Sequence, residues 1–156
     1  MATFSGRRHD VAEVPHPVEA VWELLVDPDQ IARMTPLVHS IEVDEQERWV
    51  WHLHKVPLLG RGVDLTMTQE MDFTPTSRID FRHPPLGPRS RAGAEGHYLL
   101  APVHGATRLE IDLTVRVQLP VPGVTRAAVQ PAIHGVLVQM GHRFATNLLA
   151  ELRRRG

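Results

Sequence analysis

The sequence contains no cysteine, which excludes disulfides, thiolate catalysis, iron–sulfur clusters and cysteine-based zinc sites, and fits a reducing compartment. It also lacks an excess of either charge. Seventeen Lys and Arg stand against eighteen Asp and Glu, for a net charge of −1, so no basic field is available to hold phosphate backbones and no nucleic-acid partner is expected. No apolar run reaches the ~20 residues of a bilayer span, and no apolar stretch of secretory type follows the early basic pair Arg7-Arg8. The expectation is a cytoplasmic protein without an integral membrane segment. Serine-hydrolase chemistry finds no G-x-S-x-G turn at Ser5, Ser40, Ser77 or Ser90, and Gly60-Arg61-Gly62 lacks the third glycine and the following helix of a phosphate loop. Aromatic residues make up only 5%, with a single tyrosine, Tyr98.

What is present is an ordinary soluble composition, 42% hydrophobic and 22% charged over 156 residues. That suits one domain, residues 1–156, burying roughly 70% of its unfolded surface. Histidine is the exception. There are ten, so full protonation near pH 6.5 would overturn the net charge.

Two periods organise the chain. From Pro17, residues Val18, Val21, Trp22 and Leu25 recur at i, i+3, i+4 and i+7 and predict a short amphipathic helix. Asp27-Pro28-Asp29-Gln30 then starts a second short helix, with Asp27 as cap and Pro28 at the first helical position, ending near Pro36. A strand from Phe4 to Val14 precedes them. From Val38 to Leu119 the period is two. Val63, Leu65, Met67, Gln69, Met71 and Phe73 share one strand face, and Leu109, Ile111, Leu113, Val115, Val117 and Leu119 share another, each alternating with polar residues. Shorter strands fit Ile41–Asp44, Trp49–His54, Ile79–His83 and Gly93–Ala101, for seven in all. After Pro120-Val121-Pro122-Gly123 the helical period returns: Val129, Val136, Leu137, Met140, Phe144, Asn147 and Leu148 fall within about 60° of Ile133. Pro131 should kink or restart this helix, and Gly135 and Gly141 each weaken it by about 1 kcal/mol.

The predicted class is therefore α+β. A twisted antiparallel sheet with one apolar face needs a cover, and only the C-terminal helix is long enough to supply it. The segment Val14-Pro15-His16-Pro17-Val18-Glu19-Ala20-Val21-Trp22-Glu23-Leu24-Leu25 with Asp27-Pro28, and the hairpin Gly96-His97-Tyr98-Leu99-Leu100-Ala101-Pro102 with Gly105-Ala106-Thr107-Arg108-Leu109, resemble the START-related SRPBCC superfamily. The same segments are similar to its polyketide cyclase/dehydrase and lipid transport group and to relatives of an accessory protein of carbon monoxide dehydrogenase. The resemblance implies a helix-grip fold, a seven-stranded curved sheet wrapped around the long helix, with an internal apolar cavity. Its function would be binding of a small lipid-like or polycyclic molecule. The alternatives are a polyketide cyclase or dehydratase using a cavity His or Tyr, and an accessory role in metalloenzyme maturation. No cofactor is called for, and the protein would be a monomer or homodimer.

The expected cavity wall is Trp51, Leu53, Met67, Phe81, Leu113, Ile133, Leu137, Met140 and Phe144, with Gln69, His83 and Tyr98 as the inward polar groups. His83 and Tyr98 are the candidate catalytic residues. Tyr98 faces inward if a two-residue turn at His104-Gly105 pairs Leu100 with Leu109; a three-residue turn would bring His97 inward instead. The first register suits the apolar face better. None of the assigned inward positions carries an arginine, a residue the resemblance to cyclases implies inside the cavity. His52 and His54 lie two apart on an outer face, and nothing nearby supplies a third ligand, so no metal is expected. The basic, proline-rich segment from His83 to Arg91 is a candidate for the cavity entrance.

Overall fold

The computed structural model describes residues 2–58, 60–122 and 125–156; Gly123, in the break before the last helix, lies outside them. The order is β1 (Ala2–Val14), α1 (Val18–Leu25), α2 (Pro28–Met34), β2 (Val38–Val43), β3 (Trp49–Leu58), β4 (Arg61–Thr74), β5 (Arg78–Arg82), β6 (Ala92–Val103), β7 (Ala106–Leu119) and α3 (Arg126–Arg155). The seven strands form one sheet in the order β1-β7-β6-β5-β4-β3-β2, with consecutive neighbours antiparallel. This is the α+β helix-grip architecture, with both short helices between the first two strands.

The local signals act as their chemistry requires. Asp27 accepts hydrogen bonds from the amides of Asp29 and Gln30 at 3.0 and 3.4 Å, satisfying two orphan donors at the start of α2. The β6–β7 turn is His104-Gly105, with φ of 50° and 82°, as a two-residue type I′ hairpin demands. It pairs Leu100 with Leu109 and so places Tyr98 opposite Ile111 on the inner face. Glycine is required at position 96: φ is 148° there, and a Cβ would stand 1.9 Å from the carbonyl oxygen of Asp112.

The proline in the last helix does not interrupt it. α3 continues through Pro131 for 30 residues, because the missing amide falls in the second turn and the stretch that follows is held by packing. The packing is uneven. Val129, Ile133, Leu148 and Leu152 are buried at the two ends, whereas Leu137, Met140 and Phe144 in the middle are only half-buried. The helix approaches β1, β3, α1 and α2 and stands off from the middle strands. The same pattern marks the sheet, where Ile111, Leu113 and Val115 of β7 are half-buried although they face inward. Two apolar surfaces that face each other without touching enclose a space.

Candidate functional site

That space is a cavity of about 370 Å³, within the range of roughly 300–1,000 Å³ that holds small organic ligands. Of the residues expected in its wall, Trp51, Met67, Gln69, Phe81, Tyr98, Leu113, Leu137, Met140 and Phe144 line it. Leu53, Ile133 and His83 do not. Leu53 and Ile133 are inward but buried in the packed core beyond the cavity, where Ile133 lies over Gly6 of β1.

His83 is displaced for a clear reason. β5 ends at Arg82, and the residue before Pro84 leaves the strand in an extended or polyproline course, so the alternation from Ile79 and Phe81 no longer aims its side chain. The ring lies on the outer face of the sheet. It occupies the space a Cβ of Gly93 would take, 2.3 Å from that position, and its Nε2 is 3.3 Å from Nη1 of Arg116, which also binds Glu95 at 2.5 Å. The two candidate catalytic residues are therefore on opposite faces of the sheet.

Tyr98 sits under the cavity with its ring against Phe81, centroids 5.2 Å apart. Burial pushes its pKa up to about 12, so the phenol is a neutral donor at physiological pH. Among the described residues no protein group hydrogen-bonds its hydroxyl. Gln69 is buried and partly satisfied, its Oε1 accepting from the indole Nε1 of Trp51 at 2.8 Å. An indole nitrogen only donates, which fixes the amide oxygen toward it and turns the amide nitrogen away.

The wall also contains residues that the strand patterns above do not assign to it, and the most consequential are on β1. Phe4 and Val14 are both buried, so even-numbered residues face inward, and these include Arg8 and Asp10. Both line the cavity, and Nε of Arg8 donates to Oδ2 of Asp10 at 2.6 Å. An inward arginine is thus present, contrary to expectation. The alternation between Phe4 and Val14 is the signal that points to it. Ala94 and Ile31 also join the wall, the first from β6 and the second from α2.

The entrance differs from expectation too. None of the described residues from Pro84 to Arg91 lines the cavity, and the open side lies between β1 and α3, where Arg8, Asp10, Gly141 and His142 are found. Asn147, in the apolar stripe of α3, donates from Nδ2 to the carbonyl of Met34 at 2.9 Å and fastens α3 to the end of α2. His52 and His54 do not act as a pair: His52 is 3.7 Å from Glu42, and His54 stacks on His39 with centroids 4.6 Å apart. Among the described residues no three His, Asp or Glu side chains come together as a metal site.

Residues 5–149 match the protein family described as "Polyketide cyclase / dehydrase and lipid transport". The chain belongs to that family. No curated protein sequence matches it significantly. Its fold is similar to that of a conserved protein from Geobacillus kaustophilus (20% identity, 96% of this chain and 95% of that one, TM-score 0.75). It is also similar to the Zhui aromatase/cyclase from Streptomyces sp. R1128 (21%, 97% and 95%, TM-score 0.70). A START superfamily protein from Mycobacterium smegmatis shares it as well (14%, 96% and 99%, TM-score 0.69). Proteins of this fold thus include an aromatase/cyclase, and no helix of the described residues is long and apolar enough to cross a membrane.

Proposed function

We propose that this member of the family binds a small, largely apolar molecule in the cavity between the sheet and α3. The observation that carries the reading is the half-buried apolar wall around a phenol hydroxyl with no protein partner among the described residues. Leu113, Leu137, Met140 and Phe144 leave accessible apolar surface whose removal from water favours a guest by about 25 cal/mol per Å². Tyr98 then supplies one oriented donor to a carbonyl or hydroxyl oxygen of that guest, and the amide nitrogen of Gln69 a second. Methionines at 67 and 140 adapt the wall to an irregular shape.

Binding is favoured over cyclase or dehydratase chemistry because such a reaction needs an acid and a base facing the same substrate. His83, the candidate base, is across the sheet from Tyr98, and a phenol with a pKa of about 12 is a weak proton donor near neutrality.

Titration with N-phenylnaphthylamine, an apolar dye that brightens when it leaves water, tests the reading. Saturable enhancement is expected, weakened at least about tenfold by Leu113→Trp, which fills the cavity without removing any contact. Dye binding that is absent, or indifferent to that substitution, would refute it.

A further inference from the structure

The inner face of β1 changes character along its length. At Gly6 it lies directly under α3, where a Cβ would be 2.9 Å from Leu137 and 3.1 Å from Ile133. The next two inward residues are Arg8 and Asp10, and there the two elements separate, leaving the side chains 28% and 47% exposed at the rim of the cavity. Gly141 of α3 faces them: its Cβ would lie 3.7 Å from Nε of Arg8, so any longer side chain would extend across the guanidinium. A glycine inside a helix costs about 1 kcal/mol relative to alanine, and here it keeps the space over Arg8 open.

The guanidinium is only partly used. Its hydrogen bond from Nε to Asp10 is the single one it makes among the described residues, which leaves both terminal nitrogens free at the cavity mouth. Five donors in a rigid fork match a carboxylate better than any other anchor a protein offers. A partly exposed ion pair contributes little to stability, so folding alone gives no reason to set one in an otherwise apolar wall. The other acid near the mouth, Glu13, has the outward parity of β1 and stands opposite Arg108.

We infer that the occupant of the cavity is an amphipathic monocarboxylic acid. Its apolar body lies against Leu113, Met140 and Phe144, and its carboxylate is held at the mouth by the terminal nitrogens of Arg8, with Asp10 fixing the guanidinium through Nε. The inference rests on the cavity being a binding site and adds the polarity of what it binds.

The test is displacement of N-phenylnaphthylamine by dodecanoate and by dodecanol, which share a chain and differ at the head. Wild type should bind the acid at least about tenfold more tightly than the alcohol at neutral pH. Arg8→Gln should bring the ratio to within about twofold of one by weakening the acid alone, and Asp10→Asn should raise the ratio by removing a competing negative charge. Equal wild-type affinities, or a ratio unmoved by Arg8→Gln, would overturn the anchor while dye binding left the cavity reading standing. Absence of dye binding would remove both. If Arg8→Gln does not fold, Arg8→Lys and Asp10→Asn carry the test, and an unchanged ratio in both refutes the proposal.

Discussion

The two faces of one sheet solve opposite problems with the same alternation. On the outer face a single register row crosses five strands as His9, Asp112, His97, Asp80 and Asp72, and its neighbours Arg7, Arg78 and Glu110 close ion pairs with it. Charge is dense there, and each carboxylate in a close pair sits beside an arginine or histidine in water. On the inner face polar groups are few, and those at the cavity are incompletely partnered among the described residues: the Tyr98 hydroxyl, the Gln69 amide nitrogen and the terminal nitrogens of Arg8. Polar density therefore marks the solvated face, while unused hydrogen-bonding capacity marks the site. Most of the ten histidines belong to the first category.

The sharpest break in this comparison is expected where both faces depend on one backbone contact. Gly96→Ala drives a Cβ into the carbonyl of Asp112 on the neighbouring strand and places alanine at φ 148°. Destabilisation of at least about 3 kcal/mol is expected, read as loss of the cooperative urea transition. Next come truncations within the inner face. Ile79→Ala, at a fully buried position, should cost about 2–5 kcal/mol, whereas Leu113→Ala removes a side chain that already borders empty space and should cost less. Equal costs in urea denaturation would mean that the cavity is collapsed in solution.

The fold is readable in the sequence because period-two and period-3.6 signals are long and uninterrupted from Val63 to Phe73, from Leu109 to Leu119 and from Val129 to Leu148. Turn chemistry places Tyr98, since His104-Gly105 fixes the register of β6 on β7. His83 defeats the pattern because alternation ends with the strand at Arg82, and two prolines set the course beyond it. Arg8 and Asp10 are hard to see because charged residues in a strand ordinarily mean the solvated face, and only the buried residues flanking them, Phe4 and Val14, contradict that. The mouth of the cavity is not legible at all. It depends on where a 30-residue helix leaves an edge strand, which no local pattern encodes.

A smaller effect separates structure from ligand recognition on the inner face. Gln69→Leu leaves the buried indole nitrogen of Trp51 without an acceptor, a loss of about 1–3 kcal/mol in urea denaturation. Gln69→Glu retains the acceptor and should recover the hydrogen bond while placing a charge in an apolar wall, so it should raise the carboxyl pKa and become less destabilising as the pH is lowered. If Gln69→Leu is neutral, the amide is held for a guest and not for Trp51.

The smallest effect tests the outer face. Hydrogen bonds from Arg78 to Asp80, from His9 to Glu110 and from Arg7 to Asp112 are the leading causes that hold these carboxyls below their ordinary values of 3.8, 4.5 and 3.8. On α3 the Arg154 and Arg155 guanidiniums lower Glu151 to about 2. A carboxyl whose folded pKa is depressed stabilises the fold above its unfolded pKa, and that contribution fades as pH falls through the folded value. Stability should thus be flat from neutrality to about pH 5 and decline below it, most of the Glu151 share disappearing between pH 4.5 and about 2. All four groups are solvated and screened, so the decline should be shallow and smaller still in high salt. Asp112→Asn should flatten the acid limb of urea midpoint against pH without altering dye binding, because its pair with Arg7 is on the face away from the cavity. An equal loss of dye affinity in that variant would show that the two faces are coupled through the strand they share.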